Sequence, residues 1–278
     1  MEFCPTGLEG VTITREPGTV PMRPVHLCPV MSLVLSGQKR IRYGDRDVLF
    51  GPGDLLVVSH DLYLPAAIGE GPFLSLDCAV DFPILRAQQG EIEPHLLDRA
   101  RADAVARGTP ERDVLEGMRR ILDLAGHPEH RRVLLPLLKA ELHFRVQMAE
   151  AGGMLRNLSR AGSHASRVTR AIAHIKAHWN ETIQMAELAQ CAAMGASAFH
   201  AHFKAVAGTT PLQFQKSMRM YEARRRLRET QDGVAEICRA VGYESPTQFS
   251  RDYRRTFGHP PISEREDAAS ERAALKSA

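Results

Sequence analysis

The stretch Phe199-His200-Ala201-His202-Phe203-Lys204-Ala205-Val206-Ala207-Gly208-Thr209-Thr210-Pro211 returns 50 positions later as Phe249-Ser250-Arg251-Asp252-Tyr253-Arg254-Arg255-Thr256-Phe257-Gly258-His259-Pro260-Pro261. In both copies two aromatic residues four apart are followed by Gly-x-x-Pro. Phe199, Phe203 and Val206 fall at i, i+4 and i+7, the spacing of one buried helical face, so Ser197, His200, Ala201 and Lys204 point away from it. A short apolar helix precedes each copy: Met185 to Met194 in the first, with small Ala189 and Ala193 four apart, and Val234 to Val241 in the second, with Cys238 four residues before Gly242. Gly195 is expected to permit the sharp turn in the first unit. In the second, Ser245 is a good N-cap and Pro246 suits the first helical position. Phe249 and Tyr253 then face inward, leaving Thr247, Gln248, Ser250, Arg251, Arg254 and Arg255 outward or on the flanks. Helix, tight turn and helix with an outward polar face make a helix-turn-helix unit, whose second helix can enter a major groove of DNA.

The link between the two units sets a length. Pro211 opens a helical stretch through about Glu229, a rod of roughly 27 Å at about 1.5 Å per residue. Successive major grooves on one face of DNA lie roughly 34 Å apart, so one chain can present two helices to adjacent grooves. The residues expected to meet base edges are Ser197, His200, Ala201, Thr247, Gln248, Ser250 and Arg251. Arg251, mid-helix and outward, is the foremost of them for bidentate guanine contact. Lys204, Arg224, Arg225, Arg254 and Arg255 are expected to meet phosphate, which fixes register without reading sequence. For Arg224, Arg225, Arg226 and Arg228, crowded on the connecting helix, a solvated face is the competing reading. About six phosphate contacts imply a slope of log K against log salt of about −5.

Charge follows the same division. The chain has 278 residues, 44% hydrophobic and 25% charged, an ordinary globular balance. From His164 to Pro261 there are 14 Lys/Arg against 8 Asp/Glu, which leaves 22 against 25 for the rest of the chain. A basic C-terminal third beside a slightly acidic remainder suits one nucleic-acid domain and one domain with another task. No run of 18 apolar residues occurs, which argues against a membrane span, and the N-terminus lacks the basic and apolar regions of an export signal, so a cytoplasmic protein is expected. Five cysteines, at positions 4, 28, 78, 191 and 238, form no CxxC and no disulfide framework.

The N-terminal text has another rhythm. From about Val25 to Asp81, apolar or alternating runs (Met31 to Leu35, Lys39 to Tyr43, Val48 to Phe50, Leu55 to Ser59, Phe73 to Val80) are separated by turn signals at roughly ten-residue spacing, as in a small barrel or sandwich. Helical periodicity comes next, over His95 to Arg107, Glu111 to Leu124 and His130 to Glu150, with Pro136 either kinking the last or marking its start. That last stretch, with Leu134, Leu138, Leu142 and Arg145 on one side, reads as a helix covering the barrel or as a dimer seam. Gly152-Gly153 and Ser159 to Ser166 read as a linker, and Ser263 to Ala278 as a polar tail, a frayed helix or disordered.

These residues resemble the AraC/XylS family of bacterial transcription regulators. The match runs from about Arg167 to Pro261 and includes Ala186-Glu187-Leu188-Ala189, Phe203-Lys204-Ala205-Val206-Ala207-Gly208-x-x-Pro211, Glu222-Ala223-Arg224-x-x-Leu227 and Val241-Gly242-Tyr243-Glu244-Ser245-Pro246-x-Gln248-Phe249-Ser250-Arg251. Leu33-Val34-Leu35-Ser36-Gly37-x-Lys39-Arg40 and Pro52-Gly53-Asp54-x-x-Val57-Val58-Ser59 resemble the cupin-like sensor domain of one branch, which binds effectors or makes dimers. The resemblance implies an α+β protein of two domains: a cupin-like β-barrel with flanking helices over residues 1–150, a linker over 151–166, an all-α domain with two helix-turn-helix motifs over 167–262 and the tail over 263–278. Close relatives carry Arg where this chain has Ala201 and a polar cap where it has Gly195. The first unit is therefore expected to read bases weakly.

The resemblance also fixes the partners expected: double-stranded DNA, a small-molecule effector, a second copy of the chain, and RNA polymerase where the regulator activates. No cofactor, catalytic residue or metal ligand is expected. A cupin-type metal enzyme would need His-x-His before the linker, where His26, His60, His95 and His143 are scattered; His200 and His202, on a helix, diverge by about 200°. Arg42, His60, Asp61 and Tyr63 are polar candidates for an effector pocket or its rim. Cys28 and Cys78 are read either as a thiol sensor or as small apolar residues. A repressor or architectural protein with an inert, dimerising barrel is the alternative.

Overall fold

The computed structural model describes residues 2–88, 92, 103–160 and 162–266. Two compact units divide it: Met1–Thr169 with Ala205–Gly208, and Arg170–Lys204 with Thr209–Ala278.

The first unit is built on two antiparallel sheets. Strands β1 (Glu2–Leu8), β2 (Val11–Glu16), β4 (Val30–Ser36), β7 (Leu55–Val58), β9 (Phe73–Ala79) and β10 (Val105–Gly108) form one, in the order β1-β2-β9-β4-β7-β10. Strands β3 (Val20–Leu27), β8 (Leu62–Ile68), β5 (Lys39–Tyr43) and β6 (Arg46–Phe50) form the other, in the order β3-β8-β5-β6. Alternation decides which face each residue takes. On β8, Leu62, Leu64, Ala66 and Ile68 are buried, and on β5 so are Ile41 and Tyr43, while Arg40 and Arg42 are exposed. On β9, Phe73, Ser75 and Asp77 share the face toward the second sheet, where the Lys39 ammonium lies 5.9 Å from the Phe73 ring.

The expected strands are present, and the structure adds β1, β2, β3 and β8. Prolines hide the last two. Proline cannot donate to a ladder and ordinarily marks an edge. Here Pro24 of β3 stands directly opposite Pro65 of β8, a rung at which neither strand has an N–H to lose. A second difference concerns the helix expected over His95 to Arg107. Residues 93–102 lie outside the described residues, but Val105–Gly108 is a strand paired with Leu55–Val58. Its residues complete a sheet edge, a tertiary pairing that outweighs local helical spacing.

Among the described residues, four α-helices accompany the sheets: α1 (Phe82–Ala87), α2 (Arg112–Asp123), α3 (Pro128–Met148) and α4 (Gly153–Ser159). Pro136 sits inside α3 without ending it. One side of α3 covers the sheet. Leu138, Leu142 and Val146 are buried, and the fully buried His143 accepts a hydrogen bond at Nε2 from the Asp81 N–H at 2.8 Å, beside a Lys139–Asp81 ion pair of 2.9 Å. Leu134, placed with that face by its spacing, is 40% exposed. The expected linker over 151–166 is corrected. Ala151, Gly152 and helix α4 through Ser159 are largely buried, and an added Cβ on Gly152 would fall 1.8 Å from the Val146 carbonyl oxygen. Gly152 is there for close packing, not for looseness.

The boundary between the units falls within helix α5 (His164–Ala177). The second unit continues with α6 (Met185–Cys191), α7 (Ala196–Ala207), α8 (Pro211–Glu229), α9 (Val234–Ala240) and α10 (Pro246–Phe257). Residues 261–266 are helical too, so the expected polar tail begins inside the fold, and residues 267–278 lie outside the described residues. Among the described residues no helix is long and apolar enough to cross a membrane.

Candidate nucleic-acid interface and effector site

Helices α6 and α7 form the first helix-turn-helix, α9 and α10 the second. The inward sets are as expected: Phe199, Phe203, Phe249 and Tyr253 are each wholly buried. Phe203 packs edge-on against Phe199 and Phe214, with centroids 5.6 and 5.7 Å apart. In the second unit Phe249 and Tyr253 join Met220, Leu227, Ile237, Cys238 and Val241 in one core. The repeat is not uniform. Buried Leu188, Ala189 and Ala192 of the first unit match Ile237, Cys238 and Val241 of the second at an offset of 49, whereas the second helices match at 50. The extra residue lies in the second turn.

The first turn is where one expectation fails. Gly195 has no left-handed backbone; the left-handed residue of the first turn is Ala193, at φ 50°. In the second turn it is Gly242, at φ 77°, where an added Cβ would fall 2.2 Å from the Asn180 carbonyl oxygen. Ser245 caps α10 by accepting the Gln248 N–H at 3.3 Å, and Pro246 occupies its first turn, as expected. Gly195 offers α7 no capping side chain, only its carbonyl, which accepts the Phe199 N–H at 2.9 Å.

A polar clamp fixes the second turn to the connecting helix. Arg219 donates to the carbonyls of Trp179 (2.8 Å), Glu181 (2.7 Å) and Gly242 (2.9 Å). Gln215, one helical turn earlier, donates to Glu181 at 2.7 Å and Trp179 at 3.1 Å. Asp252, buried on the inner side of α10, pairs with Lys216 at 2.6 Å and accepts from the Tyr243 hydroxyl at 3.3 Å. Beside these groups a cavity of about 300 Å³ opens between Gln213 and Lys216 of α8 and Tyr243, Glu244 and Gln248. Glu264, 1% exposed, accepts from Arg228 (2.9 Å), from the Tyr253 hydroxyl (3.0 Å) and from Arg224 (3.0 Å). Burial alone would raise its pKa, but the hydrogen bonds from Arg228 and Arg224 hold it below the ordinary carboxylate range. Gln215, Arg219, Asp252 and Glu264 were not singled out from sequence. For Gln215 and Arg219 the signal available was two polar residues at i, i+4 along α8.

Of the expected base-contact residues, Ser197, His200, Ala201, Thr247, Gln248 and Arg251 are exposed and Ser250 is half-buried. Lys204 and Arg254 are exposed, with no ion pair among the described residues. Arg255 is exposed and shares one nitrogen with Asp252 at 3.0 Å. Arg224 and Arg225 are ion-paired within the chain. Arg224 is half-buried against Glu264, and its guanidinium lies 4.9 Å from the Phe257 ring centroid. Arg225 is held along its own helix by Glu222 at 2.8 Å and Glu229 at 2.5 Å, and those carboxylates raise its pKa. Both cations are spent on intramolecular partners.

In the first unit of the fold, the four expected effector residues do not converge. Arg42 is exposed and bonded to Asp47 at 2.8 Å. His60 is buried, with Ser59 at 2.8 Å and Thr169 at 3.1 Å on its two nitrogens; burial pushes its pKa down to about 4, so it is neutral. Asp61 and Tyr63 meet instead at His26, on the outward face. There His26 Nε2 is 3.0 Å from Asp61 Oδ1, and the Tyr63 ring stacks on the imidazole at 4.6 Å. Cys78 is buried and its thiol pushed up to about 12, which suits a small core residue; Cys28 is exposed.

The inward polar cluster is one that sequence reading missed. Asp77 accepts from Thr14, Ser32 and Ser75, and Lys39 faces it, its pKa lowered by burial against the pull of that carboxylate. Strand alternation put Lys39 on the face of Ile41 and Tyr43, a signal that was available.

Comparison with known proteins agrees with this geometry. Residues 7–154 match the model of the AraC-type transcriptional regulator N-terminus, and residues 188–267 a helix-turn-helix domain. The chain is 28% identical over 110 residues to the HTH-type transcriptional activator RhaS of Pectobacterium carotovorum subsp. carotovorum, covering 40% of this chain and 39% of that one. It is 23% identical over 197 residues to the HTH-type transcriptional regulator GbdR of Pseudomonas aeruginosa, covering 68% and 52%. The chain thus spans about two-fifths to one-half the length of these relatives. In fold it resembles ToxT of Vibrio cholerae, with a TM-score of 0.59 at 8% identity, over 91% of this chain and 92% of that one. The chain belongs to the AraC-type transcriptional regulators, a family of DNA-binding regulators and not of enzymes.

Proposed function

We propose that this regulator is sequence-specific and reads two successive major grooves, with α7 in one and α10 in the other. The carrying observation is the 19-residue helix α8, about 28 Å long, between two helices whose outward faces are polar and exposed. Base edges meet Ser197, His200 and Ala201 in one groove and Thr247, Gln248, Ser250 and Arg251 in the other. Lys204, Arg254 and Arg255 hold phosphate. Selecting binding sites from random duplexes with the purified chain tests this. Two conserved blocks about one helical turn apart are expected, the stronger beneath α10; a single block, or none, defeats the reading.

A small-molecule effector inside the barrel controls the DNA-binding unit. Lys39 supports this, because its ammonium faces the interior and makes no hydrogen bond or close ion pair among the described residues. Such a cation suits a carboxylate. The ToxT structure of the same fold was solved with an unsaturated fatty acid bound. Thermal-shift screening of carboxylic acids against the wild type and Lys39→Gln checks it: a stabilising acid must lose its effect in the variant. The chain works as a homodimer through the outward side of α3, where Val133, Leu137 and Phe144 remain exposed in a stripe. Where it activates, RNA polymerase is its further partner.

A further inference from the structure

We propose that the outward face of the four-stranded sheet carries a site for a borderline-soft divalent cation of the Zn²⁺ type, with His26, Cys28 and Asp61 as its protein ligands. His26 and Cys28 flank the buried Leu27, so the two project together to the outside as alternate residues of one extended segment. Asp61 immediately precedes β8, the neighbouring strand, whose Leu62 and Tyr63 pair with Leu27 and His26. This register delivers the carboxylate to the same place. One donor atom from each residue lies within 4.8 Å of the others. His26 Nε2 and Asp61 Oδ1 are 3.0 Å apart, and Cys28 Sγ lies 4.0 Å from His26 Nδ1.

The ligand-to-ligand edges of a tetrahedral zinc site are about 3.3–3.6 Å for the usual metal–sulfur and metal–nitrogen lengths. At 3.0 Å the imidazole and carboxylate need to part by only about 0.3–0.5 Å to reach that spacing. A cation takes the place of the proton between Nε2 and the carboxylate, and the exposed Cys28 side chain, which lies on the Nδ1 side of the ring, rotates across the same outward face to supply the thiolate. One thiolate, one imidazole and one carboxylate select Zn²⁺ or Co²⁺ over Mg²⁺ and Ca²⁺, which take oxygen alone. Three protein ligands leave a fourth position open to water. The imidazole is held in place before any cation arrives. Tyr63, its cross-strand partner, stacks on it with only 10° between the ring planes.

Another group, His127, Glu129 and His130, also brings donor atoms within that distance. All three are exposed at the start of α3 and include no thiol, so they serve as the control.

The test uses the 278-residue chain, reduced, freed of metal with a chelator and titrated with Co²⁺. One equivalent is expected to give a thiolate-to-cobalt charge-transfer band in the near ultraviolet with tetrahedral bands in the visible, both bleached by Zn²⁺. Cys28→Ser should lose the charge-transfer band, and Asp61→Asn and His26→Ala should each weaken uptake at least about tenfold. The double variant His127→Ala/His130→Ala should leave the spectrum as it is. A second measurement does not depend on any variant folding: one equivalent of Zn²⁺ should slow alkylation of Cys28 by N-ethylmaleimide about tenfold or more, read by peptide mass. The proposal is overturned by a wild type without the charge-transfer band, by a band that survives in Cys28→Ser, by uptake lost in the control variant, or by an alkylation rate that Zn²⁺ leaves unchanged. None of these readouts involves DNA, so they stand apart from the reading of the two recognition helices.

Discussion

The two helix-turn-helix units share an inner face and differ on the outer one. Phe199 and Phe203 are matched by Phe249 and Tyr253, all wholly buried. Outward, Ala201 stands where the second unit has Arg251, and on the inner flank His202 stands where it has the buried Asp252. The first unit turns on Ala193 and begins its second helix without a side-chain cap; the second turns on Gly242 and has Ser245 and Pro246. Packing thus specifies the fold twice over with nearly the same residues. What each unit can say to a base pair is written separately, on a face that packing does not constrain.

The sharpest contrast between the turns is steric. Gly242→Ala places a methyl group 2.2 Å from the Asn180 carbonyl and strains a left-handed backbone, at a cost of about 3 kcal/mol or more. Ala193→Gly, at the matching place, should change stability by less than about 1 kcal/mol. Urea unfolding of the two variants compares them directly. Equal losses would mean that the turns are equivalent after all.

Acid separates the units next. Glu264 supports only the second, through Tyr253, Arg224 and Arg228, and its pKa is held below the ordinary value. A carboxylate with a depressed folded pKa stabilises fully above its unfolded value, about 4.3, and that stability is lost as pH falls through the lower folded one. Amide exchange monitored from pH 6 downward should therefore show α10 losing protection before α7. Glu264→Ala should reproduce the loss at neutral pH, at about 3 kcal/mol, by leaving two guanidinium groups without their carboxylate. Loss of protection in α7 first would reverse the assignment of the stronger support.

On DNA the contrast is one arginine. Arg251→Ala should cost about 1–3 kcal/mol of binding and relax preference at one base pair. His200→Ala should cost less than about 1 kcal/mol. Gel-shift titration against single base substitutions in each half-site measures both. Equal sensitivity of the two half-sites would show that the first helix reads bases as strongly as the second.

Legibility in the residues divides along the same line between inner and outer faces. Helices α7, α8 and α10 were readable because aromatic residues four apart, Pro211, Ser245 and Pro246 each signal locally. The strand over Lys39 to Tyr43 was readable from alternation. The failures are non-local. Val105–Gly108 is a strand because Leu55–Val58 lies beside it, and β3, an edge strand, places Pro24 opposite Pro65 of β8. Gly152-Gly153 looked loose because the carbonyl of Val146, against which Gly152 packs, is not visible from composition. The buried carboxylates of Asp252 and Glu264 read as surface charge until their partners are in place.

The smallest expected effects test which cations are available to DNA, and here the connecting helix departs from its sequence. Lys204 and Arg254 end in solvent, whereas Arg225 is bonded to Glu222 and Glu229, and Arg224 to Glu264. A guanidinium already neutralised by carboxylates releases few counterions when phosphate approaches. Removing Arg224 and Arg225 from about six contacts leaves about four, so the slope of log K against log salt should be nearer −4 than −5. Lys204→Ala and Arg254→Ala should each flatten it by about 0.9, and Arg225→Ala should leave it within error of the wild type. Binding isotherms across a series of salt concentrations decide the matter. A flattening by Arg225→Ala as large as that by Arg254→Ala would mean that the Glu222 and Glu229 pairs open on DNA, and that the strut between the two units is itself part of the grip.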